Sequence, residues 1–299
     1  MTITIEVSRL GLLYDKSAKA LDDVTFRLEG GKIYGLLGRN GSGKTSLLSI
    51  LASFQQQTSG EVRIDGEAPY ENERIVNQVC FIQENGYLSE SFKVRDVIKL
   101  ASDCWPNWDA DYADRLLNQF ELPAKKQIMA LSRGMKSALG VTIGLASRAP
   151  ITIFDEAYLG MDAPSRYYFY EELLKDYMEH PRTIILSTHL IEEVSDLFEE
   201  VLILDKGKLV LQEEADKLRS RGSAIIGPAD AVDQFAEGLT ILSEQKLGGT
   251  KSITVFGELG AEREKRATAD GLTIGPVSLQ DLFVHLTRKG IGSDERKHG

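Results

Sequence analysis

The chain is short of cysteine, of long apolar runs and of basic charge, and each shortage removes a class of function. Its two cysteines, Cys80 and Cys104, stand far apart with no metal-ligand spacing. Neither a disulfide framework nor a thiolate metal centre is expected, and reduced thiols suit a cytosolic chain. No apolar run approaches the roughly 18 residues of a membrane-spanning helix. The N-terminus has no basic segment followed by an apolar stretch, so no signal peptide is expected. If the chain works at a membrane, it does so through another chain. Aspartate and glutamate (45) outnumber lysine and arginine (35), for a net charge of −10. Non-specific nucleic-acid binding therefore has no overall electrostatic support, and no nucleic-acid partner is expected. What remains is 42% hydrophobic and 27% charged over 299 residues, a globular composition with room for one large or two smaller domains.

The stretch that organises the chain is Gly38-Arg39-Asn40-Gly41-Ser42-Gly43-Lys44-Thr45. An apolar run, Ile33–Leu37, precedes it and reads as a buried strand. Ser46–Ala52 follows and reads as an amphipathic helix. Strand, glycine-rich loop and helix are the context of a phosphate-binding P-loop. The glycines let successive backbone N–H groups converge on one anion, and the helix N-terminus adds partial positive charge. In such a loop Lys44 reaches the β- and γ-phosphates and the Thr45 hydroxyl ligates Mg²⁺.

Around this loop the chain alternates in type. Thr2–Val7, Leu21–Leu28, Glu61–Ile64 and Val79–Gln83 read as strands, with Asp65-Gly66 as a hairpin turn. From about residue 84 to 148 the period is helical: Val94–Ala101, Asp109–Phe120 with Asp109 as N-cap, and Gly134–Ser147. Trp105-Pro106-Asn107-Trp108 lies between the first two helices, either as a packed turn or as an exposed docking knob. Strand and helix then alternate again: Ile151–Phe154, Ala163–Glu179, Thr183–Ser187, Ile191–Phe198, and a hairpin around Asp205-Lys206-Gly207. Beyond a charged stretch at 213–222 the order is strand, helix, strand, strand, helix, strand, the ferredoxin-like βαββαβ arrangement. A last helix, Leu279–Arg288, is capped by Ser278, and the polar tail at 291–299, which lies outside the residues described below, is expected to be disordered.

The strand at 151–154 ends in Asp155-Glu156, which places two carboxylates beside the P-loop. There Asp155 is expected to hold Mg²⁺ and Glu156 to polarise an attacking water as general base. Leu131-Ser132-Arg133-Gly134-Met135 lies upstream and opens a helix whose N-terminus suits an anion.

With these motifs in order, the chain resembles the ATP-binding cassette family, the ATPase subunits of ABC transporters. The resemblance covers about residues 2–212. The family's signature is Leu-Ser-Gly-Gly-Gln; here Leu131, Ser132 and Gly134 are kept, while Arg133 and Met135 depart. The resemblance implies that Ser132 and Gly134 contact the γ-phosphate of an ATP held by the opposite subunit, where Arg133 could add charge. It implies that Tyr14 stacks on adenine, although as a bare residue Tyr14 equally reads as packing. It implies that Ser46 belongs with the P-loop and that Gln83 meets Mg²⁺ and the attacking water. Asp162 takes the place of the loop that crosses the dimer interface, and His189 that of the histidine on the γ-phosphate. Ser-Arg-Gly-Met-Lys at 132–136, Trp-Pro-Asn-Trp-Asp at 105–109, Asp-Glu-Ala-Tyr-Leu-Gly-Met-Asp at 155–162 and the end at 278–283 look like Gram-positive ATPases of the YtrB and bacitracin-exporter type. Ala157 stands where the family usually has proline.

The expected fold is therefore α/β. A P-loop cassette at 1–212 has a β-rich antiparallel part, a RecA-like core and a helical subdomain at 84–148. A linker at 213–222 joins it to a small α+β domain at 223–290. The expected function is that of an ATP-binding and ATP-hydrolysing subunit with Mg²⁺, powering a separate membrane permease as an exporter. The partners are that permease and a second ATPase subunit, identical or different, on the inner face of the membrane. The small domain regulates, dimerises or caps. A non-transport ATPase acting on ribosomes or nucleic acid is the alternative. The chain lacks the paired cassettes, coiled coils and zinc ligands of such proteins.

Overall fold

The computed structural model describes residues 3–14, 18–84 and 91–289. Packing divides the chain into two units, Met1–His189 with Leu204–Leu209, and Leu190–Ile203 with Val210–Gly299. The sequence-based boundary at 212 follows motif order, whereas this division follows contact.

The first unit opens with β1 (Ile5–Leu13) and β2 (Lys19–Leu28). In β2, Leu21, Val24, Phe26 and Leu28 are buried between more exposed neighbours, the pattern of a sheet with one covered face. β3 (Ile33–Gly38) and α1 (Lys44–Leu51) follow, and β4 (Ser59–Ile64) returns to complete an antiparallel sheet of order β2-β1-β4. Next comes α2 (Glu73–Val76), a single turn whose Ile75 N–H donates to the Asn72 side chain. Four residues are too few to leave a periodic signal.

The central sheet is built from β3, β5 (Val79–Gln83), β6 (Ile151–Asp155) and β7 (Thr183–Thr188), all parallel, in the order β5-β6-β7-β3. Every residue of β3, β6 and β7 is buried, because a parallel sheet is covered on both faces. The register aligns the carboxyl ends. Gln83 lies opposite Asp155, Asp155 opposite Ser187, and Leu37 opposite Thr188. Motifs more than a hundred residues apart thus share one edge of the sheet.

Between β5 and β6 run three helices, α3 (Val94–Cys104), α4 (Ala110–Gln119) and α5 (Arg133–Ser147); α6 (Ala163–Glu179) follows β6. Asp109 caps α4 by accepting from the Tyr112 N–H at 2.9 Å. Trp105 and Trp108 are half-buried. The Trp108 N–H donates to the Trp105 carbonyl, and the Asp109 N–H donates to Ala146 near the end of α5. Half-buried rings and a hydrogen-bonded backbone favour the packed turn over the exposed knob.

The tip of the hairpin between β8 (Glu200–Asp205) and β9 (Lys208–Glu214) belongs to the first unit. Gly207 donates to the Ser42 carbonyl at 2.9 Å and accepts from the Asp22 N–H at 2.8 Å. Lys208 lies 3.3 Å from the Asp22 carboxylate. The P-loop is braced from behind.

The second unit holds α7 (Ile191–Val194), α8 (Ala215–Ser220), β10 (Gly222–Pro228), α9 (Ala229–Phe235), β11 (Thr240–Leu247), β12 (Thr250–Phe256), α10 (Ala261–Ala269), β13 (Thr273–Pro276) and α11 (Leu279–Lys289). Its sheet runs β11-β12-β10-β13 with every pair antiparallel. Ile225, Ile253 and Val255 of the sheet pack with Val232 and Phe235 of α9 and Ala267 of α10. Ser278 accepts from the Asp281 N–H at 3.0 Å and caps α11. Gln280 of α11 donates to Glu192 of α7 at 3.2 Å, one reason why Leu190–Ile203 groups with the C-terminal half.

The tryptophan turn yields a stability test. Replacing Trp108 by alanine should lower the free energy of unfolding by about 1–2 kcal/mol, the share of a half-buried aromatic. Urea unfolding reads this directly, and an unmoved midpoint would contradict the packed turn.

Candidate active site

Glycine conformation shapes the loop between β3 and α1. Gly41 and Gly43 have φ of 77° and 103°, values open to glycine but strained for other residues. A Cβ on Gly43 would also lie 2.6 Å from the Ala20 carbonyl oxygen. Helix α1 starts at Lys44 with no side-chain cap, so its first N–H groups are left for an anion. Lys44 is buried. Its Nζ donates to the Gly38 carbonyl at 2.9 Å and lies 3.4 Å from Glu156 Oε1.

Glu156 stands immediately after β6 with a φ of 52°, a left-handed backbone that costs a non-glycine residue on the order of 1 kcal/mol. Its N–H donates to the Ser187 carbonyl at 3.2 Å, which holds that conformation against β7. The same Oε1 that faces Lys44 lies 3.3 Å from His189 Nδ1. Two nitrogens therefore aim one carboxylate oxygen. Such an oxygen can accept a proton from a water placed between it and a bound phosphate.

Asp155 is buried. Burial pushes its carboxyl pKa above the ordinary range; the Thr45 and Ser187 hydroxyls oppose that shift, Glu156 adds to it and Lys44 opposes it. Among the described residues its Oδ1 has no hydrogen-bond partner. A buried, unmatched carboxylate oxygen beside a threonine hydroxyl and a glutamine is an oxygen donor set of the kind a hard divalent cation takes. Thr45, Gln83 and Asp155 fit Mg²⁺ on that ground.

A cavity of about 450 Å³ opens here, lined by Tyr14, Thr45, Ser49, Phe54, Gln55, Gln83, Glu84, Asp155 and Glu156. Tyr14 is 57% exposed, and its hydroxyl bonds to Ser46 Oγ at 3.0 Å and to Gln55 Oε1 at 3.1 Å. Ser46 is itself buried and holds the Tyr14 hydroxyl. Ser49, Phe54, Gln55 and Glu84 are cavity residues that the motif reading missed. Phe54 keeps an exposed ring edge-on to Phe81 at 5.6 Å, and an apolar residue just past a helix carries no periodic signal of this role.

Ser132, Gly134 and Asp162 do not line this cavity. Ser132 caps α5, its Oγ accepting from the Met135 N–H at 3.2 Å. Asp162 caps α6, accepting from the Ser165 N–H at 3.0 Å, and that contact holds its carboxyl below the usual range. The two caps are tied through glycine. A Cβ on Gly134 would lie 3.0 Å from the Gly160 carbonyl oxygen, and one on Gly160 would lie 2.9 Å from the Arg133 carbonyl. Arg133, which could add charge to a phosphate of the opposite subunit, is ion-paired within its own chain with Glu84, whose Oε1 accepts from Nε at 2.7 Å and also from Nη2.

A family model described as ABC transporter matches residues 21–159. An uncharacterized ABC transporter ATP-binding protein of Methanocaldococcus jannaschii is 32% identical over 202 residues, 66% of this chain and 72% of that protein. The bacitracin transport ATP-binding protein BcrA of Bacillus licheniformis is 28% identical over 307 residues, 97% of this chain and 99% of that protein. A solved ATP binding subunit of an ABC transporter superposes with a TM-score of 0.64 at 25% identity, covering 72% of this chain and 91% of that one.

The buried Asp155 carboxylate gives a pH-dependent signature. Its raised folded-state pKa means that ionisation opposes folding. The penalty is absent below the ordinary value of 3.8 and grows as pH rises through the folded-state value. Asp155→Asn should therefore raise ligand-free stability at pH 7 by on the order of 1 kcal/mol, with the gain shrinking towards pH 4. Thermal unfolding at the two pH values checks this, and an equal shift at both would contradict it.

Proposed function

The chain belongs to the ABC transporter ATP-binding family and is an ATPase of it, and from that premise we propose that it powers a separate membrane permease as one half of an ATP-sandwich dimer. The observation that carries this reading is the meeting of Lys44, Glu156 and His189 at one carboxylate oxygen beside a glycine-rich loop. Gly38, Arg39, Asn40, Gly41, Ser42, Gly43, Lys44, Thr45 and Ser46 form the loop that receives the triphosphate. Tyr14 stacks on the adenine. Mg²⁺, when bound, neutralises charge on the phosphates, and Thr45, Gln83 and Asp155 would hold it.

Glu156 takes a proton from the attacking water. Its position is set by Lys44 and His189 and by the backbone bond to Ser187, so little reorganisation is needed at the moment of reaction. His189 hands the site a second donor for the γ-phosphate. Ser132, Gly134 and Asp162 act in trans. They lie outside their own chain's cavity, and the N-terminus of α5 is suited to an anion that their own P-loop does not bring to it. ATP binding closes two cassettes head to tail, and hydrolysis reopens them.

Among the described residues no helix is long and apolar enough to cross a membrane. We place the protein on the inner face of the membrane and its transport direction outward. The support is the resemblance to exporter-type ATPases and a bacitracin transport relative that matches nearly the whole chain. The C-terminal unit takes an interaction role.

Glu156→Gln should keep ATP binding, lower turnover by at least about a hundredfold and make the ATP-bound dimer accumulate. Steady-state hydrolysis with size-exclusion light scattering reads both. Hydrolysis near the parent rate would remove Glu156 as the base.

A further inference from the structure

Arg133 stands at the first position of α5, where a cation meets the positive end of the helix dipole. The chain offsets this with Glu84, one residue past Gln83 and a wall of the nucleotide cavity. The two partners differ in freedom. The Arg133 side chain is 72% exposed, whereas that of Glu84 is 21% exposed. The Arg133 backbone and Cγ pack against Gly160, where an added Cβ would lie 2.9 Å from both the Arg133 carbonyl oxygen and Cγ. The guanidinium beyond them belongs to the exposed part of the side chain. Both of its contacts, Nε and Nη2, go to the single oxygen Oε1, so the fork is not matched to two acceptors. A terminal phosphate offers several oxygens and more charge, and matches a guanidinium fork better than one carboxylate oxygen does.

We propose that Arg133 and Glu84 form a phosphate-displaceable latch between the two nucleotide sites of a dimer of this chain. The latch rests on the sandwich reading. With no phosphate opposite, Glu84 holds the guanidinium. When the second copy brings the terminal phosphate of its ATP to the N-terminus of α5, Arg133 transfers to that phosphate. The Glu84 carboxylate is then released, unneutralised, into its own cavity beside Gln83. Occupation of one site thereby changes the charge of the other, a coupling between sites with a named carrier. Glu84 competes with the phosphate, so it opposes closure, while Arg133 favours it.

The test uses the full chain in the Glu156→Gln background, with ATP and Mg²⁺, and reads the ATP concentration at half-dimerisation by light scattering. Adding Glu84→Gln should lower that midpoint by about two- to fivefold, the range for losing one exposed ion-pair competitor. Adding Arg133→Gly should raise it, and Glu84→Gln should then have no further effect. An ATP-dependent dimer whose midpoint ignores Glu84→Gln, or shifts equally in the Arg133→Gly protein, overturns the latch alone. Absence of an ATP-dependent dimer in every variant overturns the sandwich of two copies and the latch with it.

Discussion

The register of the parallel sheet is the constraint on which the site depends. Gln83, Asp155, Ser187 and the approach to Gly38 meet because β5, β6, β7 and β3 end level with one another. A slip of one residue in β6 would turn Asp155 and its neighbours to the opposite face. Nothing in the short polar motifs prevents that slip. What prevents it is the burial of every residue along β3, β6 and β7, where each side chain has its own packed position. The chemistry at the sheet edge is set by hydrophobic contacts in its interior.

At that edge the chain accepts local costs. Asp155 is held in a dry setting that disfavours its charge, and Glu156 in a left-handed backbone. Lys44 is withdrawn from water beneath the loop, with backbone carbonyls and a carboxylate as partners. Asp155 keeps an unmatched buried oxygen, whereas Lys44 and Glu156 hold each other in place, so the groups stand ordered at one spot. Unfavourable local choices concentrated at one place, inside a fold whose other choices agree, are the kind of exception that functional sites gather.

The sequence made some of this legible and hid the rest for physical reasons. The P-loop was readable because its glycines, lysine and threonine are adjacent, and Asp155-Glu156 because an apolar run stops at two acids. Helices α5 and α6 were readable as helical stretches, while their caps, Ser132 and Asp162, emerged only from the folded chain. The single turn α2 and the extension of β1 to Leu13 were not, since a few residues of mixed polarity define no period. Pairing at long range was hidden altogether. The Glu84–Arg133 ion pair joins residues 49 apart and looks like two ordinary surface charges until the chain is folded. The same holds for Tyr14, whose hydroxyl reaches Ser46 and Gln55 across a loop and a helix. Trp105-Pro106-Asn107-Trp108 stayed ambiguous because burial of an aromatic turn depends on what lies beneath it, here the end of α5.

The close approach of Gly134 and Gly160 is a demand on composition. The segment from Glu156 to Asp162 leaves the carboxylate cluster, presses Gly160 into the first turn of α5, and then caps α6. With no side chain between them, the two backbones have no slack to absorb. A side chain at either position would have to push the two backbones apart, because a Cβ on Gly134 would lie 3.0 Å from the Gly160 carbonyl oxygen. The strand end that carries Asp155-Glu156 and the helix end that carries Ser132 are therefore joined through bare backbone, and the composition of both turns is constrained together.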